Sequence, residues 1–252
     1  MSTVPSGGSP DLAVVRVLLA EPARAQVLLA LADGRALPAS VLASEAGVAA
    51  STISSHLKRL LDARFITVRQ YGRFRYYQLA GPQIGELIEA VGKLTPTKPV
   101  TSLRQGTRAH AIRHARRCYN HLAGHLGVAI TDAFLQRGYL TGHDGSTDIA
   151  RMPGARPAGG VLDGIAYILT DAGAQAFEAL GATPPANRAV RCCVDWTEQR
   201  HHMAGEAGSA LLIRLQQLDW IRPSRVPRTL TITAAGRSGL AAHWSIDPGV
   251  FT

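Results

Sequence analysis

The 252-residue chain lacks several features that would assign it to a specialised class of protein. No apolar run approaches the roughly 18 residues that a membrane-spanning helix needs. Only three cysteines are present, two of them adjacent at Cys192 and Cys193, which is too few for a disulfide framework. Residues 1–10 have neither a basic start nor an apolar core, so they predict a disordered lead and not a signal peptide. We therefore expect a cytoplasmic protein with no membrane partner.

The local signatures of enzymes are also missing. The sequence contains no nucleophile elbow, no phosphate-binding loop and no metalloprotease helix. The glycine-rich stretch 154–164 has no phosphate-loop lysine and predicts a loop. We expect no enzymatic activity and no required cofactor.

Acidic residues are scarce relative to basic ones. The chain has 18 Asp and Glu against 27 Lys and Arg, which gives a formal net charge of +9 at pH 7. An excess of this size favours a polyanionic partner, either nucleic acid or an anionic surface.

Residues 11–95 show the order of elements of a winged helix-turn-helix. Helical patterns with short breaks run to residue 31, and a short helix, 38–46, ends at Gly47. A third helix follows over about 50–63, and the β-rich segment 65–79 turns at Gly72 to form a hairpin. One more helix, 84–94, precedes a segment rich in Pro, Thr and Ser, so we predict a linker at 96–106.

The third helix and the hairpin have the chemistry of a DNA reader. A recognition helix presents short polar side chains to base edges and packs an apolar back on its scaffold, while cations contact phosphates. The predicted base-reading residues are Ser51, Thr52, Ser54, Ser55 and His56. The predicted phosphate contacts are Lys58, Arg59, Arg69, Arg73 and Arg75.

These segments resemble the ArsR (arsenic-repressor) family. The resemblance rests on Glu21-Pro22-Ala23-Arg24, on the segment Ser51 to Leu57 and on the segment Gly72 to Leu79, about a third of the chain. It implies a homodimer formed through the first and last helices of the domain, a two-fold operator in double-stranded DNA, and repression that a signal relieves.

The sequence departs from that family in three ways. Ala49 replaces the usual Ser or Thr cap, so we expect Ser51 to cap a helix that starts slightly later. Arg64 stands where a glycine commonly ends the helix. The metal-ligating residues of the family are absent, because 38–46 has no cysteine and the last helix offers only Glu86 and Glu89. Arsenic or zinc sensing at the family's usual positions is therefore not expected.

The remainder, 107–252, contains an internal sequence repeat. The segment His121 to Gly127 recurs 81 residues later as His202 to Gly208. We predict a duplicated helix and strand domain with copies at about 115–181 and 196–246, although chance similarity between Ala/Gly-rich helices is the alternative. The whole chain is then mainly α with small β-hairpins, an α+β fold.

The sequence allows two kinds of signal-binding site in this domain. We predict one helix around 108–135. Its residues His114, Cys118, His121 and His125 share a face that can bind a soft metal or sense oxidants, or can simply be core. The candidates for a metal or redox site are His114, Cys118, His121, His125, Cys192, Cys193 and His202. An organic ligand needs an aromatic pocket with few polar groups. The candidates for that pocket are Tyr119, Tyr167, Trp196, Arg117 and Asp195.

The sequence thus predicts a sequence-specific DNA-binding regulator, a repressor controlled by a small-molecule effector in the C-terminal domain. A metal- or thiol-sensing repressor is one alternative, with a metal ion as its cofactor. A nucleoid-type DNA binder without a ligand is the other, and it would bind many sequences alike, whereas a regulator prefers its operator by roughly 10³-fold or more.

Overall fold

The computed structural model describes residues 12–95, 102–142 and 165–247. Over these residues it contains ten helices and small antiparallel sheets, so the predicted α+β class is confirmed. The predicted disordered lead, most of the predicted linker and the loop at 154–164 lie outside the described residues. The chain divides into two compact units, Met1–Ile84 and Gly85–Thr252.

The first unit is a winged helix-turn-helix. Its elements are α1 (Ala13–Leu19), α2 (Pro22–Leu31), β1 (Leu37–Pro38), α3 (Ala39–Ala46), α4 (Ala50–Asp62), β2 (Ile66–Tyr71) and β3 (Phe74–Leu79). The strands form one antiparallel sheet in the order β1-β3-β2. The core lies between the helices and the base of the sheet, with Val27, Leu28, Leu31, Leu42 and Leu60 fully buried.

Individual residues explain where the helices of this unit begin, end and connect. Pro22 starts α2, where its missing N–H removes no helical hydrogen bond. Two residues later, the buried guanidinium of Arg24 donates to the carbonyl oxygens of Leu18 and Val17 at the end of α1 (3.1 and 2.6 Å). Gly47 ends α3 in the left-handed conformation (φ 66°) and makes the tight turn into α4.

The structure corrects the expected start of α4 and explains Arg64. The helix begins at Ala50 with Ala49 at the cap position and no side-chain cap, so Ser51 lies inside the helix and does not cap it. Arg64 has φ 59°, the left-handed conformation that glycine adopts without a steric cost.

The next helix, α5 (Pro82–Leu94), crosses the division between the units. The predicted division lay later, at 96–106. From Gly85 onward α5 belongs to the second unit, where the buried carboxylate of Glu89 pairs with Arg228.

The second unit repeats one order of elements: hairpin, helix, strand pair, helix. After α6 (Leu103–His114), the first half comprises β4 (Arg116–Cys118), β5 (His121–Ala123), α7 (Gly124–Gln136), β6 (Leu140–Thr141), β7 (Ile165–Leu169) and α8 (Asp171–Leu180). The second half comprises β8 (Ala189–Val194), β9 (His201–Ala204), α9 (Gly205–Gln217), β10 (Ile221–Pro223), β11 (Leu230–Ile232) and α10 (Ala234–Trp244). The duplication is therefore a feature of the fold, and its second half begins before the predicted start at 196.

The two halves exchange hairpins. The strand pair β6-β7 of the first half continues into the hairpin β8-β9 of the second, as one four-stranded sheet. Reciprocally, hairpin β4-β5 joins the segment that leads into β11, through a bridge between Arg116 and Thr229. A single apolar core then includes residues from both halves, among them Phe134, Phe177 and Trp244.

Matching threonines cap the last helix of each half. The Thr170 hydroxyl accepts from the N–H of Gly173 at the start of α8 (3.1 Å), and the Thr233 hydroxyl accepts from that of Gly236 at the start of α10 (2.9 Å). Such caps satisfy an N–H group that has no partner within the helix.

The single helix predicted over 108–135 is wrong. The chain leaves α6 at His114, forms the β4-β5 hairpin and starts α7 at Gly124. Tyr119 in the hairpin turn and Gly124 both have positive φ (56° and 75°), which a continuous helix does not allow. Within the described residues, no helix is both long and apolar enough to cross a membrane.

Candidate nucleic-acid interface and a buried Cys–His cluster

Helix α4 has an apolar back and a polar front. Ile53, Leu57 and Leu60 on its back are at most 2% exposed. The front presents exposed hydroxyl and basic side chains, with His56 half-buried between the two faces. Those exposed side chains belong to Ser51, Thr52, Ser54, Ser55, Lys58 and Arg59. This arrangement suits a helix that lies in a DNA groove and packs its other face on the protein.

The β2-β3 hairpin, the wing, carries exposed cations. Arg69, Arg73 and Arg75 are all exposed, with Arg73 at the turn beside Gly72. The guanidinium carbon of Arg73 lies 5.2 Å from the centre of the Phe74 ring, and that of Arg75 lies 5.6 Å from the Tyr77 ring. These contacts leave the guanidinium N–H groups able to donate to phosphate oxygens.

Two exposed aromatic residues at the wing tip were not among the predicted functional residues. Tyr71 and Phe74 are directly opposed across the turn and are 80% and 53% exposed. The sequence predicts strands at these residues. Their side chains are exposed because the hairpin extends beyond the core, which the strand pattern alone does not indicate.

The second unit contains one tight cluster of potential metal ligands among the described residues. Cys118, His121, Cys193 and His202 each offer one donor atom, and these four atoms lie within 4.8 Å of one another. Cys118, His121 and His202 are 3%, 6% and 0% exposed, and Cys193 is half-buried. The rings of His121 and His202 are 5.1 Å apart between centroids.

Strand register brings the four residues together. Cys118 is directly opposite His121 in hairpin β4-β5, and Cys193 is directly opposite His202 in hairpin β8-β9. Cross-strand neighbours point to the same face of a hairpin. Each half of the unit therefore supplies one cysteine and one histidine to the same buried space.

The glycines of the repeated motif allow the two halves to approach. A Cβ on Gly208 of α9 would lie 2.8 Å from the Cβ of His121, and one on Gly127 of α7 would lie 3.4 Å from the Cβ of His202. Gly208 thus leaves room for the histidine of the other half, whereas a Cβ on Gly127 would meet mainly the Leu122 carbonyl oxygen, at 2.6 Å. The sequence repeat around these positions reflects this packing.

Both histidines have one polar contact outside the cluster. The Asn120 side-chain oxygen lies 3.2 Å from Nδ1 of His121, and the Asp195 Oδ2 atom lies 3.5 Å from Nδ1 of His202. Nε2 of each ring is buried and has no hydrogen-bond partner among the described residues. In a neutral imidazole whose Nδ1 donates, Nε2 carries the lone pair that binds a metal.

Asp195 belongs to a buried network of charges. Its Oδ2 atom accepts from the N–H of Gly124 (2.6 Å) and lies 3.0 Å from the Arg116 guanidinium. Arg116 also lies 3.8 Å from Glu89 of α5, and Glu89 in turn pairs with Arg228. Burial favours the protonated form of Asp195, but Arg116, His202, Thr197 and the Gly124 N–H outweigh it and lower the pKa of Asp195 to about 2.

The cluster's titratable groups influence one another. Contact with the Cys118 thiol, followed by contacts with the two imidazoles, lowers the pKa of Cys193 well below its usual value, although burial opposes the shift. The same thiol contact and burial raise the pKa of Cys118. Burial lowers the pKa of His121, so this ring is held neutral. A thiolate beside a neutral imidazole is the form in which both groups bind metals.

Three other predicted metal or redox residues lie outside the cluster. His114 at the end of α6 stacks on His110, with ring centroids 5.6 Å apart. His125 of α7 contacts Glu198 through Nδ1 (3.1 Å). Cys192 is adjacent to Cys193 but packs against the apolar core, because neighbouring side chains on a strand point in opposite directions.

The residues predicted for an organic-ligand pocket serve internal contacts. The Tyr167 hydroxyl lies 2.7 Å from Nδ1 of His201, and the Arg116 guanidinium lies over the Trp196 ring at 4.8 Å. Tyr119 packs beside Gly85 of α5, Arg117 lies on β4, and Asp195 is in the charge network. None of these five lines the open groove of about 320 Å³ that the second unit presents near His125, Asp132 and Arg200.

Comparison with known proteins places the chain in a family. A family model described as a helix-turn-helix domain matches residues 19–69. The uncharacterized HTH-type transcriptional regulator YdfF of Bacillus subtilis is 33% identical over 243 residues, which cover 94% of this chain and 99% of that protein. The HTH-type transcriptional regulator KmtR of Mycobacterium tuberculosis is 35% identical over 71 residues, covering 28% of this chain and 54% of KmtR.

Among solved structures, the cadmium metal-sensor CMTR of Mycobacterium tuberculosis is 31% identical, with a TM-score of 0.27. That likeness covers 37% of this chain and 100% of the sensor. The similarity to YdfF, by contrast, extends through both units. The chain therefore belongs to the HTH-type transcriptional regulators, as a DNA-binding protein with a winged helix-turn-helix and a second, duplicated α+β unit.

Proposed function

We propose that the protein is a cytoplasmic, homodimeric repressor without catalytic activity, which binds a specific double-stranded operator and is controlled by a small effector in its second unit. The observation that carries the first part is the two-faced helix α4. Its hydroxyl and basic side chains are exposed while its apolar back is buried.

Base reading is assigned to the exposed hydroxyls of α4 and to His56, and phosphate binding to the cations. The base-reading residues are Ser51, Thr52, Ser54, Ser55 and His56, and the phosphate-binding residues are Lys58, Arg59, Arg69, Arg73 and Arg75. Lys58 already pairs with Asp62 at 2.8 Å, but both side chains are exposed, so the pair dissociates at little cost when a phosphate approaches.

Helix α1 supports the homodimer. Leu12, just before this short helix, and Val14 and Val17 on it are 71%, 48% and 52% exposed. Exposed apolar side chains on adjacent turns are typical of an interface that is covered in the assembly. A second copy of the chain covers them in our proposal, and two α4 helices then read a two-fold operator.

The effector belongs to the second unit, and the described geometry favours a metal ion over an organic molecule. The five predicted pocket residues serve internal contacts, whereas the Cys–His cluster presents four donor atoms within 4.8 Å.

Sedimentation of the protein with a labelled duplex taken from its own upstream DNA tests the proposal. We expect two chains per operator. The matched variants are Ser54→Ala with Ser55→Ala on α4, which should abolish the preference for this duplex over a scrambled one, and Ser209→Ala on α9 of the second unit, which should keep it. Equal binding of both duplexes by the wild-type protein would favour the nucleoid-type alternative.

A further inference from the structure

We propose that Cys118, His121, Cys193 and His202 form a closed four-ligand site for one divalent d¹⁰ metal ion per chain, Zn²⁺ or its congener Cd²⁺, which links the two halves of the second unit. The site lies in the duplicated domain, away from the helices in which the sequence resemblance would place metal ligands. It rests on donor geometry, burial and the two unpartnered imidazole nitrogens.

The donor set suits this class of metal. Two thiolates and two imidazoles bind Zn²⁺ tetrahedrally, at about 2.3 Å for sulfur and about 2.0–2.1 Å for nitrogen. In such a tetrahedron the donors lie roughly 3.3–3.8 Å apart, a distance that follows from these bond lengths. Donors already within 4.8 Å of one another need to close by at most about 1–1.5 Å. Two thiolates also neutralise a divalent ion, which burial demands.

The surroundings of the histidines support the assignment. Ligating histidines donate their second ring N–H to a carboxylate or a carbonyl oxygen, which fixes the ring and raises its basicity. The Asn120 side-chain oxygen occupies that place for His121, whereas the Asp195 carboxylate lies 3.5 Å from Nδ1 of His202, close to this nitrogen but not hydrogen-bonded to it. The buried Nε2 atoms of both rings have no hydrogen-bond partner among the described residues, which leaves them available as metal ligands.

A purely structural cluster accounts less well for these atoms. Buried polar atoms nearly always find hydrogen-bond partners, whereas three of the four ring nitrogens of His121 and His202 have none among the described residues. A thiol switch would use Cys118 and Cys193 but would leave the histidines without a role. A metal site uses all four residues.

The same contacts connect the cluster to α5, and the following regulatory step rests on the proposed function. His202 contacts Asp195, Asp195 pairs with Arg116, and both Arg116 and Arg228 reach Glu89 on α5. A metal ion that draws His202 toward the other three ligands changes the distance between His202 and Asp195. This alters the ion pairs that end at Glu89 on α5, the helix that continues from the DNA-binding unit. Release from the operator is the expected result, because the resemblance to the ArsR family implies repression that a signal relieves.

Titration of the full-length, metal-free protein with Co²⁺ and then Zn²⁺ tests the site. We expect one Co²⁺ per chain, a thiolate-to-cobalt charge-transfer band in the ultraviolet, and intense visible bands of tetrahedral coordination that Zn²⁺ abolishes. Cys193→Ser and His202→Gln should each weaken Zn²⁺ affinity by about 100-fold or more, since they remove a ligand. The matched controls, Cys192→Ser and His125→Gln, should retain the wild-type spectrum and stoichiometry.

Absence of the charge-transfer band in the wild-type protein, or equal uptake by all four variants, would overturn the site. The wild-type spectrum needs no substitution, so a variant that does not fold leaves the test intact.

Operator affinity is measured on the same samples. Zn²⁺ should weaken operator binding by about fivefold or more in the wild-type protein and in Cys192→Ser, but not in Cys193→Ser. Uptake of Zn²⁺ with unchanged or tighter operator binding overturns the regulatory step. A failure of the proposed function itself is distinguishable, because the metal-free protein would then show no preference for its upstream DNA while the cobalt spectrum persists.

Discussion

His121 and His202 occupy equivalent positions in the two halves of the second unit and face each other with ring centroids 5.1 Å apart. Each is opposite a cysteine across its own hairpin, and each packs against a helix glycine of the other half. The duplication therefore brings together four side chains that are scattered along the sequence.

The glycines beside the histidines should be intolerant of a side chain. In Gly208→Ala the new Cβ would meet the backbone oxygen of Met203 as well as His121, so we expect destabilisation by about 1–3 kcal/mol. Gly92→Ala in α5 is the control, because a Cβ there has nothing closer than the Trp196 ring at 4.0 Å. That change should be neutral or stabilising by about 0.4–1 kcal/mol. Urea unfolding of both variants measures the contrast, and equal effects would contradict the packing described here.

The charge network should be sensitive to loss of one carboxylate. Asp195→Asn leaves the fully buried Arg116 without its 3.0 Å partner, and breaking a buried pair typically costs about 3–5 kcal/mol. Asp62→Asn removes an exposed partner of Lys58 and should have little effect. Thermal unfolding of the two variants compares them, and a small change for Asp195→Asn would show that the network contributes little to stability.

The missing cap of α4 should be improvable. Ala49 has the extended conformation of a cap residue (φ −67°, ψ 154°) but no side-chain oxygen. Ala49→Ser supplies an acceptor for an unpaired N–H in the first turn and should stabilise the first unit by about 1 kcal/mol. Ala49→Gly, which provides no acceptor, serves as the comparison in denaturant unfolding. A serine variant no more stable than the glycine variant would contradict the expected cap.

The wing arginines should contribute through phosphate charge. Arg73→Ala is expected to weaken binding to operator and scrambled DNA alike, and to reduce the slope of log affinity against log salt by about one unit. Arg222→Ala, at an exposed arginine of the second unit paired with Asp219, is the control and should leave the slope unchanged. A loss confined to the operator would instead assign Arg73 to base reading.

The sequence predicted the first unit well because its signals are local. Gly47, Pro22 and the apolar spacing of Ile53, Leu57 and Leu60 fix the turns and helices over short distances. The prediction that Ser51 caps α4 was wrong, because the helix begins at Ala50 without a side-chain cap. Backbone hydrogen bonds to the carbonyl oxygen of Ala49 hold its first turn.

The second unit was harder because its decisive contacts are not local. Cys118 and His121 are three residues apart, a spacing that a helix and a tight hairpin both place on one face, and only the positive φ of Tyr119 and Gly124 distinguishes them. The exchange of hairpins between the halves brings Cys193 and His202 to the same place, and no periodicity in one segment reveals it. The repeat of His121 to Gly127 in His202 to Gly208 was the available signal, and it correctly indicated the duplication.

The most direct test of the central claim is a fluorescence-anisotropy titration of the purified protein. It compares the protein's own upstream DNA with a scrambled duplex of equal length, at two salt concentrations. We expect the protein to prefer the upstream duplex by roughly 10³-fold or more at physiological salt. Equal affinity for the two duplexes would contradict sequence-specific regulation, and no binding to either would contradict the assignment of α4 and the wing as a DNA-binding surface.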